Sequence, residues 1–241
     1  PAVENFSSNY AALGEMLVSM GRLQEALEIA DALLSLPRSL TTEGINRTSS
    51  DLLLLGRRLH AQAAMQAGKS EHVIHLFRND PRFASTSRSP QEAAQANYWT
   101  GLALCSLERP DEARSIALSL AKMARRYEDD PLIGAWADGL TYFHALTSQE
   151  DPGGHHSPPH LPADIHSAAW QKLKKPGIAR QVARDHLEQN PRGLFATALY
   201  CSTSFENGNR VAATRAFDRT FRQDVLRADK SLRSFPALDK I

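Results

Sequence analysis

The chain has 241 residues, 42% of them hydrophobic, with a formal net charge of +1 at pH 7. That content can fill a sizeable core, yet no run of about 18 apolar residues exists to make a membrane-spanning helix. Two cysteines, Cys105 and Cys201, do not make a disulfide framework and read as small buried hydrophobes. The first predicted helix carries Tyr10, Leu13, Leu17 and Met20 at spacings of three and four, which places them on one face. Gly14 lies beside that face. It costs roughly 1 kcal/mol of helix propensity, so its expected use is to let a neighbouring helix come close. Gly21 is placed to stop the helix in a left-handed C-cap. Leu23, Ala26, Leu27, Ala30 and Leu33 build the stripe of a second helix, which Pro37 is expected to end because it has no amide hydrogen.

Further along, RRLHAQAAMQAGKSEHVIHLFRNDP has Gly68 at a turn, Phe77 at the large apolar place of a second helix and Pro81 after it. In ANYWTGLALCSLERPDEARSIALSLAKM, Gly101, Leu104, Ala113 and Ala117 take corresponding places and Pro110 opens a helix at its first turn. The stretch DPLIGAWADGLTYFHALTSQ puts Ile133, Trp136, Leu140 and Phe143 on one face. Helices follow in ADIHSAAWQKLKK, with Asp164 as its cap, and PGIARQVARDHLEQNP, started by Pro176. LFATALYCSTSFENGNRVAATRAFDRTF repeats the pattern with Gly208, Ala213 and Phe217. Three connections stand out: Arg38 to Ser50, Arg82 to Pro90, and Glu150 to Pro162. The last, rich in Pro, Gly and His, reads as a solvated surface linker.

The order Tyr10, Leu13, Gly14, Leu17, Gly21, Leu23, Ala26 resembles the tetratricopeptide repeat, although Ala30 and Leu33 differ in size from its usual residues and Pro37 stands one place early. The later copies are degenerate, with Asn97, Thr100 and Glu108 departing from the pattern. With about eleven helices and no period-two strand, the expected fold class is all-α. The resemblance implies an α-solenoid of antiparallel helix pairs, a TPR-like superhelix, as a single domain over 1–241 interrupted at 150–162. It also implies a protein-binding scaffold or adaptor, with a peptide or partner protein on the concave face.

On that mapping the first helix of each pair supplies the groove: Ser8, Ala11, Glu15 and Val18; Arg58, Gln62, Met65 and Gln66; Gln95, Tyr98, Leu102 and Ser106; Phe195, Ala198, Ser202 and Phe205. Arg58, Tyr98 and Phe195 are the expected anchors, since large planar side chains carry most interface energy. Family members that bind acidic heat-shock chaperone tails use a Lys and an Asn in the first helix. Here those places hold Ala11 and Glu15, which argues against a chaperone-tail partner.

Other chemistry has less support. His155, His156, His160 and His166, with Asp164, could chelate a transition metal, but their spacing fits no helical His pair and no cysteine joins them. No nucleophile elbow, H-E-x-x-H or phosphate-binding loop occurs, so no catalytic residue, cofactor or metal is assigned and the chain is not read as an enzyme. The alternative is a helical domain associated with an enzyme activity, in a missing flanking region or at a metal in the His-rich loop. From Trp170 to Ile241 there are 14 Lys or Arg against 7 Asp or Glu, so RNA or an acidic partner is a further alternative. These charges interleave as on a solvated helix face, which argues against nucleic acid. The start at Pro1 suggests a trimmed fragment; with no signal-peptide pattern, the cytoplasm is the favoured compartment.

Overall fold

The computed structural model describes residues 2–39, 46–80, 89–150, 152, 154, 156–189 and 194–221. Among these the chain forms eleven helices and no strand. In chain order they are α1 (Ala2–Ser19), α2 (Leu23–Ser39), α3 (Asn46–Gln66), α4 (Ser70–Asn79), α5 (Pro90–Ser106) and α6 (Pro110–Arg126), then α7 (Pro131–Thr147), α8 (Ala163–Lys172), α9 (Pro176–Gln189), α10 (Leu194–Glu206) and α11 (Arg210–Phe221). The all-α class expected from the periodicity is therefore the observed class.

The punctuation works through backbone conformation. Gly21, Gly68 and Gly208 take φ of 74°, 73° and 73°, the left-handed region that ends a helix without a Cβ clash. Pro90, Pro110, Pro131 and Pro176 each open a helix, where the missing amide hydrogen costs nothing. Two expectations need correction. Helix α2 runs through Pro37 to Ser39, because a proline so near a helix end removes only one intrahelical bond. Asp164 is not the cap of α8: Pro162 holds that position with no side-chain hydrogen bond, and Asp164 lies in the first turn. Helix α3 also begins at Asn46, inside the stretch read as a connection.

The described residues form two compact units. One holds those up to Glu15 and from Leu23 to Leu161; the other holds Met16–Arg22 and those from Pro162 onward. In the first unit, α2 packs on α3 around Ala30, Leu33, Leu52 and Leu59, with Tyr10, Ile29 and Leu55 against them. Gly14 lets α1 come close to both: a Cβ there would sit 2.6 Å from Leu59 Cδ1 and 3.3 Å from Ile29 Cγ2. Leu13, expected on the apolar face, is instead 39% exposed.

Helix α3 also packs on α4 and α5, and α5 on α6 and α7. The α5 side chains Tyr98, Trp99, Leu102 and Leu104 are buried, each worth about 1.5–3 kcal/mol in water-excluded area. Gly101 brings α7 close, since a Cβ would stand 2.5 Å from Leu140 Cδ2. Between α3 and α5, Arg57 Nη1 donates to Glu92 Oε2 at 2.8 Å, with side chains only 4% and 6% exposed. In the second unit α8 packs on α9, α9 on α10 and α10 on α11 around Trp170, Ala179, Ala183, Ala196 and Ala213.

Candidate functional site

Helix α5 packs on both α3 and α7, so one face of the first unit gathers side chains from all three. Of the residues expected to line a groove, Arg58, Gln62 and Gln66 come from α3 and Gln95 and Tyr98 from α5. Arg58, Gln62 and Gln66 are half-buried, while Gln95 and Tyr98 are 2% and 0% exposed. Glu15 is exposed and pairs with Arg58 Nη2. The side chains of Ser8 and Ala11 lie outside the described residues.

What lies on this face is the segment between α7 and α8. Tyr98 Oη donates to the Pro159 carbonyl at 2.5 Å, and Gln62 Nε2 to the His160 carbonyl at 3.0 Å. Arg58 Nη1 is 3.1 Å from His160 Nε2; an arginine can only donate, so that nitrogen accepts and the ring proton sits on Nδ1. Upstream, Asp138 Oδ2 accepts from the His156 amide at 2.7 Å and contacts His156 Nδ1 at 2.9 Å. Gly139 makes room for the chain: a Cβ there would be 2.7 Å from Pro158 Cα and 2.9 Å from Pro159 Cδ. Pro152 and Pro158 are buried, so the reading of this stretch as a solvated linker does not hold for them. The resemblance marked Arg58, Gln62 and Tyr98 as groove positions; that they donate to the chain itself was not legible in the sequence.

Beside this segment the three helices leave a cavity of about 280 Å³, lined by Leu54, Leu55, Trp99, Leu132 and Trp136 with Arg58, Gln95 and His160. Tyr98 stacks on Trp136 at 6.1 Å between ring centroids and meets Trp99 edge-on at 5.2 Å. Gln95 Nε2 donates to the Leu54 carbonyl at 2.8 Å, which turns Oε1 into the free acceptor. That Oε1, the neighbouring Arg58 Nε and Gln62 Oε1 are buried without hydrogen-bond partners. An unpaired buried polar atom costs about 1–3 kcal/mol, so the three make this face receptive to further polar contacts.

The electrostatics follow from burial. Loss of hydration lowers the Arg58 pKa, partly offset by Glu15. His160 is exposed as a residue, yet its ring is held down to about 4, first by lost hydration and then by the Arg58 charge. The Arg58 contact alone fixes that direction, since a second cation against a guanidinium is repelled.

The remaining candidates fall elsewhere. Phe195 and Ser202 belong to α10 in the second unit, both buried, and Phe195 meets the His186 ring edge-on at 5.9 Å. Phe205 is exposed, with the Arg210 guanidinium 5.3 Å from its ring centroid. In the His-rich stretch, His155 lies outside the described residues. His156 is turned to Asp138, His160 to Arg58, and His166 accepts from Trp170 Nε1 at 3.1 Å. No group of three or more His, Cys, Asp or Glu able to hold a metal ion occurs among the described residues. Both cysteines are free and buried, and burial pushes the Cys105 thiol to about 12 and the Cys201 thiol to about 11. Much of the basic C-terminal third lies outside the described residues.

Sequence reasoning missed three groups on the α3, α5 and α7 face. Asp138 stands opposite the apolar stripe of α7 and Gly139 on its flank, and a helical glycine alone announces no ligand. Pro158 to His160 were taken for linker because proline-rich composition says nothing about docking. No family model, curated protein or solved structure matches the chain.

Proposed function

We propose that the chain is a tetratricopeptide-like scaffold whose α3, α5 and α7 face binds a peptide segment of a partner protein. The order of packing in the first unit, α3 on α5 and α5 on α7, favours repeated helix pairs, and the resemblance of residues 9–37 points the same way. One observation carries the reading: Tyr98 and Gln62 donate to the successive backbone carbonyls of Pro159 and His160 in an irregular segment, while Arg58 holds the His160 side chain. Side chains that grip backbone carbonyls recognise a segment by its main chain, which is how a peptide groove works. The reading needs no cofactor and no catalytic residue.

Leu132 gives the test. It borders the cavity and is 38% exposed, so a photo-crosslinking residue in its place reports whatever approaches. The expected result is a crosslink in cells to one discrete segment of another protein, confirmed by direct binding of that segment, and lost on Arg58→Glu with helicity unchanged. Crosslinks confined to this chain's own residues, or a yield indifferent to Arg58→Glu, would refute the scaffold reading.

A further inference from the structure

We propose that this face is a binding site for a Pro-Pro segment followed by an indole, that Pro158-Pro159-His160 is an internal copy occupying it, and that such a partner displaces the copy. The proposal deepens the scaffold reading by naming the partner's chemistry, and it rests on that reading.

The first support is the pattern of donors. A proline lacks an amide hydrogen, so a Pro-Pro backbone offers acceptors and almost no donors. On the face, Tyr98 Oη, Gln62 Nε2 and the Arg58 guanidinium all donate, and they meet the Pro159 carbonyl, the His160 carbonyl and His160 Nε2. The acceptor is Asp138, placed upstream at His156, where the backbone does carry an amide hydrogen. One donor stands opposite a proline carbonyl and two opposite the residue after the Pro-Pro pair, while the acceptor stands opposite an amide. Gly139 adds shape selection: with Pro158 Cα only 2.7 Å from the place of a Cβ, any side chain at 139 would evict a proline seated there.

The second support is what the internal copy leaves undone. The cavity of about 280 Å³ beside His160 stays unfilled, with Trp99, Trp136 and Leu132 among its walls. Gln95, one of the lining residues, keeps an Oε1 that is buried without a hydrogen-bond partner. An indole matches both deficits, since its faces suit apolar walls and its N–H can only donate. The copy also holds His160 at φ 61°, a left-handed conformation that a non-glycine residue adopts at a cost. An internal segment that leaves space, an orphan acceptor and a strained residue behind can be displaced. Its advantage is the short tether, which keeps its effective concentration high and lowers the apparent affinity of any competitor by the fraction of closed protein.

Fluorescence polarisation with labelled peptides tests this on the full chain. One peptide carries residues 155–163, a second the same sequence with His160→Trp, and a third the same sequence with Pro158 and Pro159 replaced by alanine. The proteins are the wild type and a Pro158→Gly/Pro159→Gly variant that releases the copy, each verified by circular dichroism. The released variant is expected to bind the first peptide about tenfold tighter than wild type, because the internal competitor is gone. The His160→Trp peptide should gain on the order of another tenfold through the buried ring, and Leu132→Trp, which fills the cavity, should erase that gain. Gly139→Ala in the released variant should abolish binding of both, and Tyr98→Phe should weaken it severalfold, giving a second readout should Gly139→Ala fail to fold. A folded released variant that binds neither proline peptide, or binds the alanine control equally well, would overturn the proposal. So would equal binding of the His and Trp peptides. Absence of any crosslinked partner at Leu132 with peptide binding intact would instead sink the scaffold reading and leave the peptide site standing.

Discussion

At the scale of single residues, the chemistry of the first unit turns on charges and small side chains placed where helices meet. Arg57 and Glu92 form an ion pair almost without solvent, and each offsets part of the other's lost hydration. Removing one partner strands a buried charge, so Arg57→Ala should destabilise the fold by about 3–5 kcal/mol. Replacing both, as Arg57→Met with Glu92→Leu, should recover most of that loss, and urea denaturation followed by far-UV circular dichroism measures both. If the single variant were neutral, the pair would have to be solvated. The sequence did not mark Arg57 for burial, because adjacent helical positions point about 100° apart and only packing decides which one is buried. Gly14 was more legible, since a glycine in a helix needs a reason and Leu59 supplies it.

Helix α8 shows what an element adds. Asp164 in its first turn is raised from 3.8 to about 6 by burial, so the folded state holds a proton that the unfolded chain has released. Its contribution is greatest below pH 3.8 and is lost as pH rises through about 6. His166, one residue beyond Ile165, is lowered from 6.5 to about 4, also by burial. Its contribution is present above pH 6.5 and is lost as pH falls through about 4. Between pH 4 and 6 the two slopes oppose each other. His160 and His186, also lowered by burial, add slopes of the same sign as His166, so Asp164→Asn should steepen the rise of stability with pH across that window relative to wild type, and His166→Phe should flatten it. Thermal melts at half-unit steps of pH read both; parallel profiles for the two variants would contradict the assignment. Element boundaries were legible where a residue's backbone enforces them, as at Gly21 and Gly68, and less so at Pro37, where the remaining helix absorbs one lost bond.

For the molecule as a whole, the segment between α7 and α8 is the feature that composition misrepresented. Its carbonyls take hydrogen bonds from α3 and α5, and Gly139 of α7 admits its proline. Replacing residues 157–161 by Gly and Ser at equal length forfeits those bonds, each worth about 0.5–1.5 kcal/mol. The melting temperature should drop by about 5 °C at unchanged helicity. A melting curve that did not move would return this stretch to the solvated linker that its composition suggested.

Helix content and the glycine turn positions were written in the sequence, because local spacing and backbone stereochemistry act within a few residues. The burial of Arg57 with Glu92, the cavity beside Trp99 and Trp136, and the seating of Pro158 and Pro159 against Gly139 were decided only by tertiary structure. Those contacts join residues tens of positions apart, and no local periodicity records which distant surfaces the folded chain brings within hydrogen-bonding reach.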